Sequence, residues 1–339
     1  MTRPTRKDRI PRKLGVAAAL AVATAMSTFS APAVLASTRE PAATGNLGGV
    51  AVPAVKVLKA VQAAQSLQSL PSGVKSTLTA NDLAAPGFGG NVICQTGATN
   101  KPGLPDYEFG ECSYGDLTSK KLIVAYGDSH AGMWGEALQY IALRAGWRLV
   151  TFDLSNCPAP DLNYVSWATN TLDAQCEAFH SAAPAAIARL HPQLLVVTSD
   201  AQAQQAKRGV IYTAAQWEQG WSQTLKQLRH VGTRLVMIGD IPQWVNDSSA
   251  CLAAHTTDVQ DCASLPQPAL APDIASERQA AAANKVQYIS PTNWICGQQC
   301  EPVIDGARVF NDEWDLTSIY VAFLSGALQQ SLGIPNASS

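Results

Sequence analysis

The sequence predicts an α/β protein with three layers, α/β/α, around a mostly parallel central sheet. Three observations predict it. From residue 121 onward, short apolar runs alternate with runs of helical length and composition. The run 194–197, Leu-Leu-Val-Val, is continuously apolar, as strands covered by helices on both faces are. Loops separate each run from the next, so the chain divides into successive strand–helix–strand units.

The elements follow one another without internal repeats. An irregular entry segment, tied by a disulfide, is expected over 74–120. The predicted strands are 121–126, 147–153, 193–199, 233–239 and 285–290, and the predicted helices are 131–145, 174–190, 214–231, 273–284 and 316–332.

The N-terminal part divides into a predicted signal peptide and a linker. Residues 1–36 combine a basic start, an apolar stretch from about Leu14 to Met26 and small residues before Ser37, as exported proteins do. The apolar stretch is short for a membrane span, although an uncleaved anchor remains an alternative. Residues 37–89 read as a flexible linker with a short helix over 53–70, and 90–335 as the folded domain. The expected location is secreted or extracytoplasmic, in the cell envelope.

The eight cysteines agree with export, because disulfides persist in oxidising compartments. Sequence alone does not choose among their pairings, and sequential pairing is the economical prediction. The predicted pairs are Cys94–Cys112, Cys157–Cys176, Cys251–Cys262 and Cys296–Cys300. No metal site and no cofactor are predicted, since no second cysteine or histidine cluster lies near the last pair.

The net charge of the chain limits the kinds of partner that the sequence suggests. With a net charge of −2 and 15% charged residues, the chain shows no sign of a nucleic-acid partner.

One segment carries a chemical prediction. Residues 122–130 read Leu-Ile-Val-Ala-Tyr-Gly-Asp-Ser-His, a buried strand that breaks at Gly127. Ser129 would then start the following helix, where free backbone N–H groups and the helix dipole favour a developing negative charge. The predicted reaction class is acyl transfer through serine.

Together, these residues resemble the SGNH/GDSL hydrolase superfamily, and most closely the SGNH domains fused to membrane acyltransferases of bacterial envelope O-acylation. The resemblance covers roughly residues 90–332. It rests on Gly127-Asp128-Ser129-His130-Ala131, Cys112-Ser113-Tyr114-Gly115-Asp116, Ser155-Asn156-Cys157-Pro158, Ile238-Gly239-Asp240-Ile241-Pro242, Pro291-Thr292-Asn293-Trp294-Ile295-Cys296, Cys300-Glu301-Pro302 and a late Asp312-x-x-Asp315-Leu316 segment.

The resemblance implies an SGNH-hydrolase-like, flavodoxin-like fold and an exported domain that handles acyl esters of cell-envelope glycans. An acyl donor would come from a separate membrane acyltransferase. The residues that the resemblance implies are Ser129, Asp312 and Asp315 for catalysis, and Asp128, Ser155, Asn156 and Ser199 for the oxyanion or the substrate.

Asp315 departs from the family pattern, which has a histidine base at this position. An unperturbed aspartate, with a pKa of about 3.9, is a poor general base near neutral pH. Three alternatives follow: another histidine reaches Ser129, Asp312 and Asp315 share a proton, or the site binds without catalysis. Asp315 also suits the N-cap of the terminal helix.

Among the histidines, the side chain of His130 is expected to diverge from Ser129, and His255 is the freest to reach a site. His180, His191 and His230 lie in or beside helices. Trp244 and Trp314 are expected to flank the crevice. The sequence thus predicts a serine esterase or O-acyltransferase-like protein, with an inactive module that binds a glycan or an acyltransferase as the alternative.

Overall fold

A computed structural model describes residues 51–75, 78, 112–166, 169–201, 205–207, 210–231, 234–244, 248–266 and 271–337. The predicted signal peptide, most of the predicted linker and Cys94 lie outside the described residues. No helix in the described ranges has the length and apolar character needed to span a bilayer.

The strands are β1 Cys112–Gly115, β2 Leu122–Gly127, β3 Arg148–Asp153, β4 Leu194–Thr198, β5 Gln205–Lys207, β6 Val210–Ile211, β7 Arg234–Ile238, β8 Gln287–Ile289, β9 Val303–Ile304 and β10 Ala307–Arg308. The α-helices are α1 Ala54–Ala64, α2 Ser72–Lys75, α3 Ser129–Ala145, α4 Ala174–Leu190, α5 Ala214–Arg229, α6 Ser248–Ala254, α7 Ala271–Ala283, α8 Thr292–Ile295 and α9 Ser318–Leu332.

Six strands form the central sheet in the order β1-β3-β2-β4-β7-β8. All neighbouring pairs are parallel except β1–β3. The parallel strands have the flavodoxin-like order, in which the strand order reverses between β2 and β4. A crevice for ligands is expected beyond the carboxyl ends of these two strands.

The apolar strands are buried on both faces because successive side chains point to opposite sides of the sheet. Ile123 and Ala125 of β2 pack in the core layer that contains side chains of α3 and α9. Val124 and Tyr126 pack in the opposite layer, with side chains of α4, α5 and α7. This arrangement confirms the predicted α/β/α class.

Strand β1 differs from the prediction, because 112–115 had been placed in an irregular segment. It pairs antiparallel with β3 at the edge of the sheet, with Cys112 opposite Thr151. Four residues with one apolar side chain give little periodicity, so the pattern of this strand is not recognisable in the sequence alone.

Helix α1 lies within the short helix predicted over 53–70, and it packs against the core. Val57, Val61 and Ala64 are buried in the core layer that contains α9. A side chain at Gly326 of α9 would overlap the backbone of Val52, so the chain lies directly on that helix. The folded body therefore includes residues before the expected boundary at residue 90.

Three of the four predicted disulfides are present, Cys157–Cys176, Cys251–Cys262 and Cys296–Cys300. The fourth, Cys94–Cys112, involves a cysteine outside the described residues and stays a prediction.

Candidate active site

Ser129 lies where the sequence places it, at the first residue of α3 immediately after β2. A Cβ at Gly127 would overlap the carbonyl oxygen of Thr198, so only glycine permits this approach of β2 to the end of β4. The Ser129 side chain is partly exposed, whereas both of its neighbours are buried. The strand therefore delivers the hydroxyl to the edge of the sheet at the point where the strand order reverses.

Asp128 holds this turn in place. Its Oδ1 accepts a hydrogen bond from the backbone N–H of His130 at 3.0 Å and caps α3. Its Oδ2 accepts from the Ser199 hydroxyl at 2.5 Å and from the backbone N–H of Asp200 at 2.9 Å. Burial raises the pKa of Asp128, while His130 and the Ser199 hydrogen bond oppose the rise. Asp128 thus ties β2 to β4 across the switch point.

Ser199 is completely buried, and its hydroxyl also accepts a hydrogen bond from the backbone N–H of Ala159 at 3.1 Å. The hydroxyl therefore links Asp128 to the loop that follows β3. To donate to the oxyanion or the substrate, as predicted, the Ser199 hydroxyl would have to give up its hydrogen bond to Asp128.

His130 has a role that the sequence analysis missed. Its Nδ1 lies 2.8 Å from Oδ1 of Asp240, at the end of β7. Its Nε2 lies 3.1 Å from the backbone oxygen of Trp314 and 3.9 Å from Oδ1 of Asp315. The imidazole thus connects the first turn of α3 to the last strands of the sheet and to the segment before α9. The sequence offers one signal for this contact. Aspartates lie at or just after the ends of β2, β3, β4 and β7, and parallel strands bring these ends to one edge of the sheet.

The surroundings favour the charged form of His130. Burial lowers its pKa, but Asp240, with further contributions from Asp200 and Asp128, outweighs burial and raises the pKa well above its usual range. An imidazolium donates from both nitrogens and has no lone pair with which to accept a proton. His130 is therefore a buried cation and not a general base for Ser129.

Asp240 is itself held by several donors. It accepts hydrogen bonds from the backbone N–H groups of Ala201 at 2.9 Å and Ile241 at 2.7 Å. Its own N–H donates to the buried carboxyl of Glu277 at 3.0 Å. Burial and the nearby Asp240 raise the pKa of Glu277 well above its usual range, which favours the neutral acid.

The segment 311–315 forms a tight turn around Asp312. Oδ1 of Asp312 accepts hydrogen bonds from the backbone N–H groups of Trp314 and Asp315, both at 2.8 Å. Asn311 donates to the other carboxylate oxygen at 3.2 Å, and its N–H donates to the backbone oxygen of Asp315 at 2.8 Å. In this structure Asp312 shapes the turn that carries Asp315.

Asp315 is a carboxyl group with an altered pKa. Burial raises its pKa to about 6, His130 opposes the rise, and Asp312 adds to it. Asp315 does not cap the terminal helix, as one reading of the sequence suggested. Thr317 is the N-cap, and its side chain accepts a hydrogen bond from the N–H of Tyr320. The helix therefore does not explain the presence of an aspartate at 315.

The turn lies against the face of α3 that carries Ser129. The N–H of Leu316 is 3.2 Å from the sulfur of Met133. Met133 lies four residues after Ser129, and residues with this spacing share one face of a helix. Together with the contacts of His130, this places the 312–316 segment beside the first turn of α3.

Ser155 and Asn156 follow β3 at the same edge of the sheet. The N–H of the preceding residue, Leu154, donates to the backbone oxygen of Gly127 at 3.0 Å. Asn156 is exposed and has a left-handed backbone, with φ of 62°. These contacts place the loop near the turn of Ser129, and a role in binding the oxyanion or substrate stays a prediction for both residues.

The other candidate histidines have contacts elsewhere in the described part of the chain. His255 pairs with Asp261 at 3.1 Å on the surface. His180 lies 2.7 Å from the backbone oxygen of Pro158, and His191 and His230 are the C-caps of α4 and α5. None of these contacts involves Ser129, so the structure gives no support to a histidine base from this group.

The two tryptophans expected at the crevice differ in exposure. Trp244 is buried and stacks on Phe310 with 4.6 Å between ring centroids. It is a core residue and does not flank a crevice as a free surface. Trp314 is 40% exposed.

One group of side chains has the composition of a cation site. Ligand atoms of His130, Asp200 and Asp240 all lie within 4.8 Å of one another. His130 and Asp240 already form an ion pair there, so a metal would have to displace the proton that they share.

The fold and this edge of the sheet define an SGNH-type module, of the kind found among acyl esterases and acyltransferases. Comparison with known families matches residues 93–322 to the SGNH domain (fused to AT3 domains). The chain belongs to this family. No curated protein sequence matches the chain.

Among similar solved structures, one supports the same fold, and two others are more distant. The periplasmic domain of a lipopolysaccharide acetyltransferase from Salmonella ser. Paratyphi A is 15% identical, with a TM-score of 0.52, and the match covers 64% of this chain and 85% of that one. A putative acylhydrolase from Bacteroides fragilis is 13% identical, with a TM-score of 0.40, over 65% of this chain and 89% of that one. A GDSL-like lipase from Bacteroides thetaiotaomicron is 12% identical, with a TM-score of 0.39, over 63% and 88%.

Proposed function

We propose that this protein is an exported serine esterase or O-acyltransferase that acts on acyl esters of cell-envelope glycans, with Asp315 in place of the usual histidine base. One observation carries the proposal. Oδ1 of Asp315 lies 3.9 Å from Nε2 of His130, the residue after Ser129, and burial raises the pKa of Asp315 to about 6. A base with a pKa near the working pH is far more effective than an ordinary aspartate.

The proposed reaction has two balanced steps. The Ser129 oxygen attacks the ester carbonyl while the Asp315 carboxylate accepts the hydroxyl proton. The glycan oxygen then leaves and takes that proton, and an acyl group remains on Ser129. Water, or a second hydroxyl group, attacks the acyl-serine and its proton passes to Asp315. The bond between the acyl carbon and the Ser129 oxygen then breaks, and Asp315 returns the proton to that oxygen, which regenerates both residues.

The other residues have supporting roles in this proposal. The N–H groups at the start of α3, with Ser155 and Asn156, would donate to the oxyanion. Asp128 fixes the turn of Ser129, and Asp312 positions Asp315 through its N–H. His130 supplies a positive charge that keeps the pKa of Asp315 from rising further.

The sequence and the family support the proposals that the protein is exported and that its partner is a membrane acyltransferase. The basic and apolar start of the chain supports a signal peptide, and the three disulfides suit an oxidising compartment. Members of this family are fused to AT3 domains, which supports a separate membrane acyltransferase as the partner of this chain.

The second candidate function is a module that binds an envelope glycan or the acyltransferase without turning it over. The observation that favours it is that His130 is paired with Asp240 and has a raised pKa, so it is not available as a base for Ser129.

The test compares the purified protein with Ser129→Ala, Asp315→Asn and Asp315→His in 4-nitrophenyl acetate hydrolysis and in labelling by a fluorophosphonate. We expect labelling at Ser129, loss of activity in Ser129→Ala and a decrease of about 10²-fold or more in Asp315→Asn. If the native protein is inactive and unlabelled while Asp315→His gains Ser129-dependent activity, the base has been lost and the binding module is correct. Thermal melting of each variant controls for folding.

A further inference from the structure

We propose that Trp314 is the platform on which an uncharged pyranose ring of the ligand stacks, so that it selects neutral glycans at this site. The inference rests on the proposed function in placing a glycan ester at Ser129. It adds the chemical class of the sugar and the residue that recognises it.

Trp314 is the one exposed aromatic side chain in the ranges that the structure describes. The other large apolar side chains that are exposed there are aliphatic: Val55, Leu58, Leu117, Leu143, Leu172, Val210, Ile211 and Leu265. An exposed indole presents a flat face with negative potential, which attracts the positively polarised C–H groups of a pyranose. Isolated aliphatic side chains on a surface have no such preference.

The backbone of Trp314 is fixed on both sides, although its side chain is exposed. Its N–H donates to Asp312 at 2.8 Å, and its carbonyl oxygen lies 3.1 Å from Nε2 of the buried His130. The oxygen of the preceding residue, Glu313, accepts a hydrogen bond from the N–H of Trp244 at 3.2 Å. A platform held in this way loses little entropy when a ligand binds.

The same contacts place the backbone of Trp314 next to the candidate site. His130, which contacts the Trp314 backbone, directly follows Ser129, and Asp315 directly follows Trp314. A sugar stacked on Trp314 would therefore lie beside the predicted nucleophile and the predicted base.

The charge around Trp314 selects the kind of sugar. Asp312, Glu313 and Asp315 flank Trp314 in sequence, and Asp312 is close enough to Asp315 to raise its pKa. Carboxylates accept hydrogen bonds from sugar hydroxyls but repel the carboxylate of a uronic acid. A neutral ring is consequently favoured over an anionic ring of the same shape. The neighbours of Trp314 in sequence are polar, whereas the centre of a protein–protein interface is apolar, so a sugar suits this position better than a protein partner.

The test follows the Nε1 resonance of Trp314, assigned with Trp314→Phe, and the backbone amide resonances of residues 311–316 in the full chain labelled with ¹⁵N. The amide resonances report binding in the variants that lack the indole. The probes are the methyl pyranosides of glucose, galactose, mannose and N-acetylglucosamine, with methyl glucuronide as the anionic counterpart. We expect saturable shifts with at least one neutral pyranoside. We expect at least about tenfold weaker binding of the glucuronide at neutral pH and about tenfold weaker binding of the neutral ligand to Trp314→Ala.

Trp314→Tyr should restore most of the binding, since a phenol ring also stacks. Leu265→Ala is the matched control, because Leu265 is also exposed, at 71%, and has no contact with the site among those described. It should bind like the native protein. The proposal is overturned if no neutral pyranoside shifts the resonance, if the glucuronide binds equally well, or if Trp314→Ala binds like Leu265→Ala.

A catalytic comparison separates this proposal from the proposed function. The ratio of kcat/KM for glucose pentaacetate to that for 4-nitrophenyl acetate should fall about tenfold in Trp314→Ala. If Ser129 does not react with the fluorophosphonate but Trp314-dependent sugar binding persists, the enzyme proposal fails and the sugar platform stands. If Ser129 turns over both esters and the ratio is unchanged, the sugar platform fails and the enzyme proposal stands.

Discussion

His130 and Asp315 separate two properties that one histidine combines in an ordinary serine hydrolase. A catalytic histidine accepts a proton and then carries a positive charge close to the developing oxyanion. In this protein the positive charge is favoured on His130, which lies between Asp240 and Asp315 and has a raised pKa, while the proton acceptor that we propose is the Asp315 carboxylate. In the proposed reaction, His130 would supply electrostatic stabilisation and Asp315 would accept the proton, so no imidazole would have to change its protonation state.

His130 should also be a main contributor to stability. Replacing it with neutral glutamine leaves the Asp240 carboxylate buried without its counter-ion, which should cost about 3–5 kcal/mol in unfolding free energy. A raised histidine pKa stabilises the fold fully below the ordinary value of 6.5, and this stability is lost only as pH rises through the raised pKa. The effect should therefore persist at neutral pH in denaturant titrations.

The control for His130→Gln is His255→Gln, since His255 also lies 3.1 Å from an aspartate but both partners are substantially exposed. We expect this variant to change stability by about 0–1 kcal/mol. A double-mutant cycle of His130→Gln with Asp240→Asn should give a large coupling energy. Simple additivity of the two changes would show that the ion pair does not form.

Asp153, at the end of β3, should make stability depend on pH in the opposite sense from an ordinary salt-bridged aspartate. Burial raises its pKa from 3.8 to about 6. A raised carboxyl pKa stabilises the fold below the unfolded value, and that stability is lost as pH rises through about 6. Asp153→Asn removes this dependence, so stability relative to the native protein should increase by about 2 kcal/mol between about pH 4.5 and about pH 7.5.

The measurement for Asp153→Asn is the unfolding free energy of both proteins at the two pH values. Asp258→Asn is the matched control because Asp258 is exposed, and its difference from the native protein should be the same at both pH values. A constant difference for Asp153→Asn as well would contradict the raised pKa.

At the scale of elements, the chain before α1 can lie directly on α9 because Gly326 has no side chain. Glycine in a helix is usually unfavourable, and alanine there gains about 0.5–1 kcal/mol. At Gly326 a Cβ would overlap the backbone of Val52, and this backbone cannot rotate away as a side chain can. We therefore expect Gly326→Ala to destabilise the protein by about 1–3 kcal/mol.

Thermal unfolding would show whether Gly326→Ala lowers or raises the stability of the protein. Gly73→Ala in α2 is the control, because a Cβ at Gly73 has no atom within 4 Å. It should be neutral or slightly stabilising. Equal effects of the two substitutions would mean that the segment before α1 does not lie on α9. Limited proteolysis of Gly326→Ala should cleave near residue 52 more readily than the native protein.

For the molecule as a whole, the sequence predicts the part of the fold that depends on hydrophobic periodicity. The runs at 122–127 and 194–198 are buried on both faces, so their pattern is unambiguous. The placement of Ser129 also follows, because a strand that ends in Gly-Asp-Ser delivers the serine to the carboxyl edge of the sheet.

The parts that the sequence does not predict depend on contacts between distant segments. His130 was expected to diverge from the site, but its partners come from residues 240 and 314, far along the chain. Helix α1 has an amphipathic pattern, yet nothing local shows that its apolar face covers α9. The pKa of Asp315 depends on burial and on three other acids, which only the assembled fold brings together.

The disulfide Cys157–Cys176 should stabilise this assembled fold. It joins Cys157, which directly follows Ser155 and Asn156, to Cys176 in the first turn of α4, 19 residues further along the chain. Removal of a crosslink of this length increases the entropy of the unfolded chain, so the double variant Cys157→Ser, Cys176→Ser should lose about 3 kcal/mol of unfolding free energy. If the loop also supplies oxyanion donors, the variant should lower kcat more than KM changes, because such donors act in the transition state. The corresponding double variant of Cys296 and Cys300, which are 4 residues apart and not adjacent in sequence to the predicted donors, should lose less stability and keep its kcat. Equal losses of kcat in the two variants would show that the loop after β3 has no special part in the reaction.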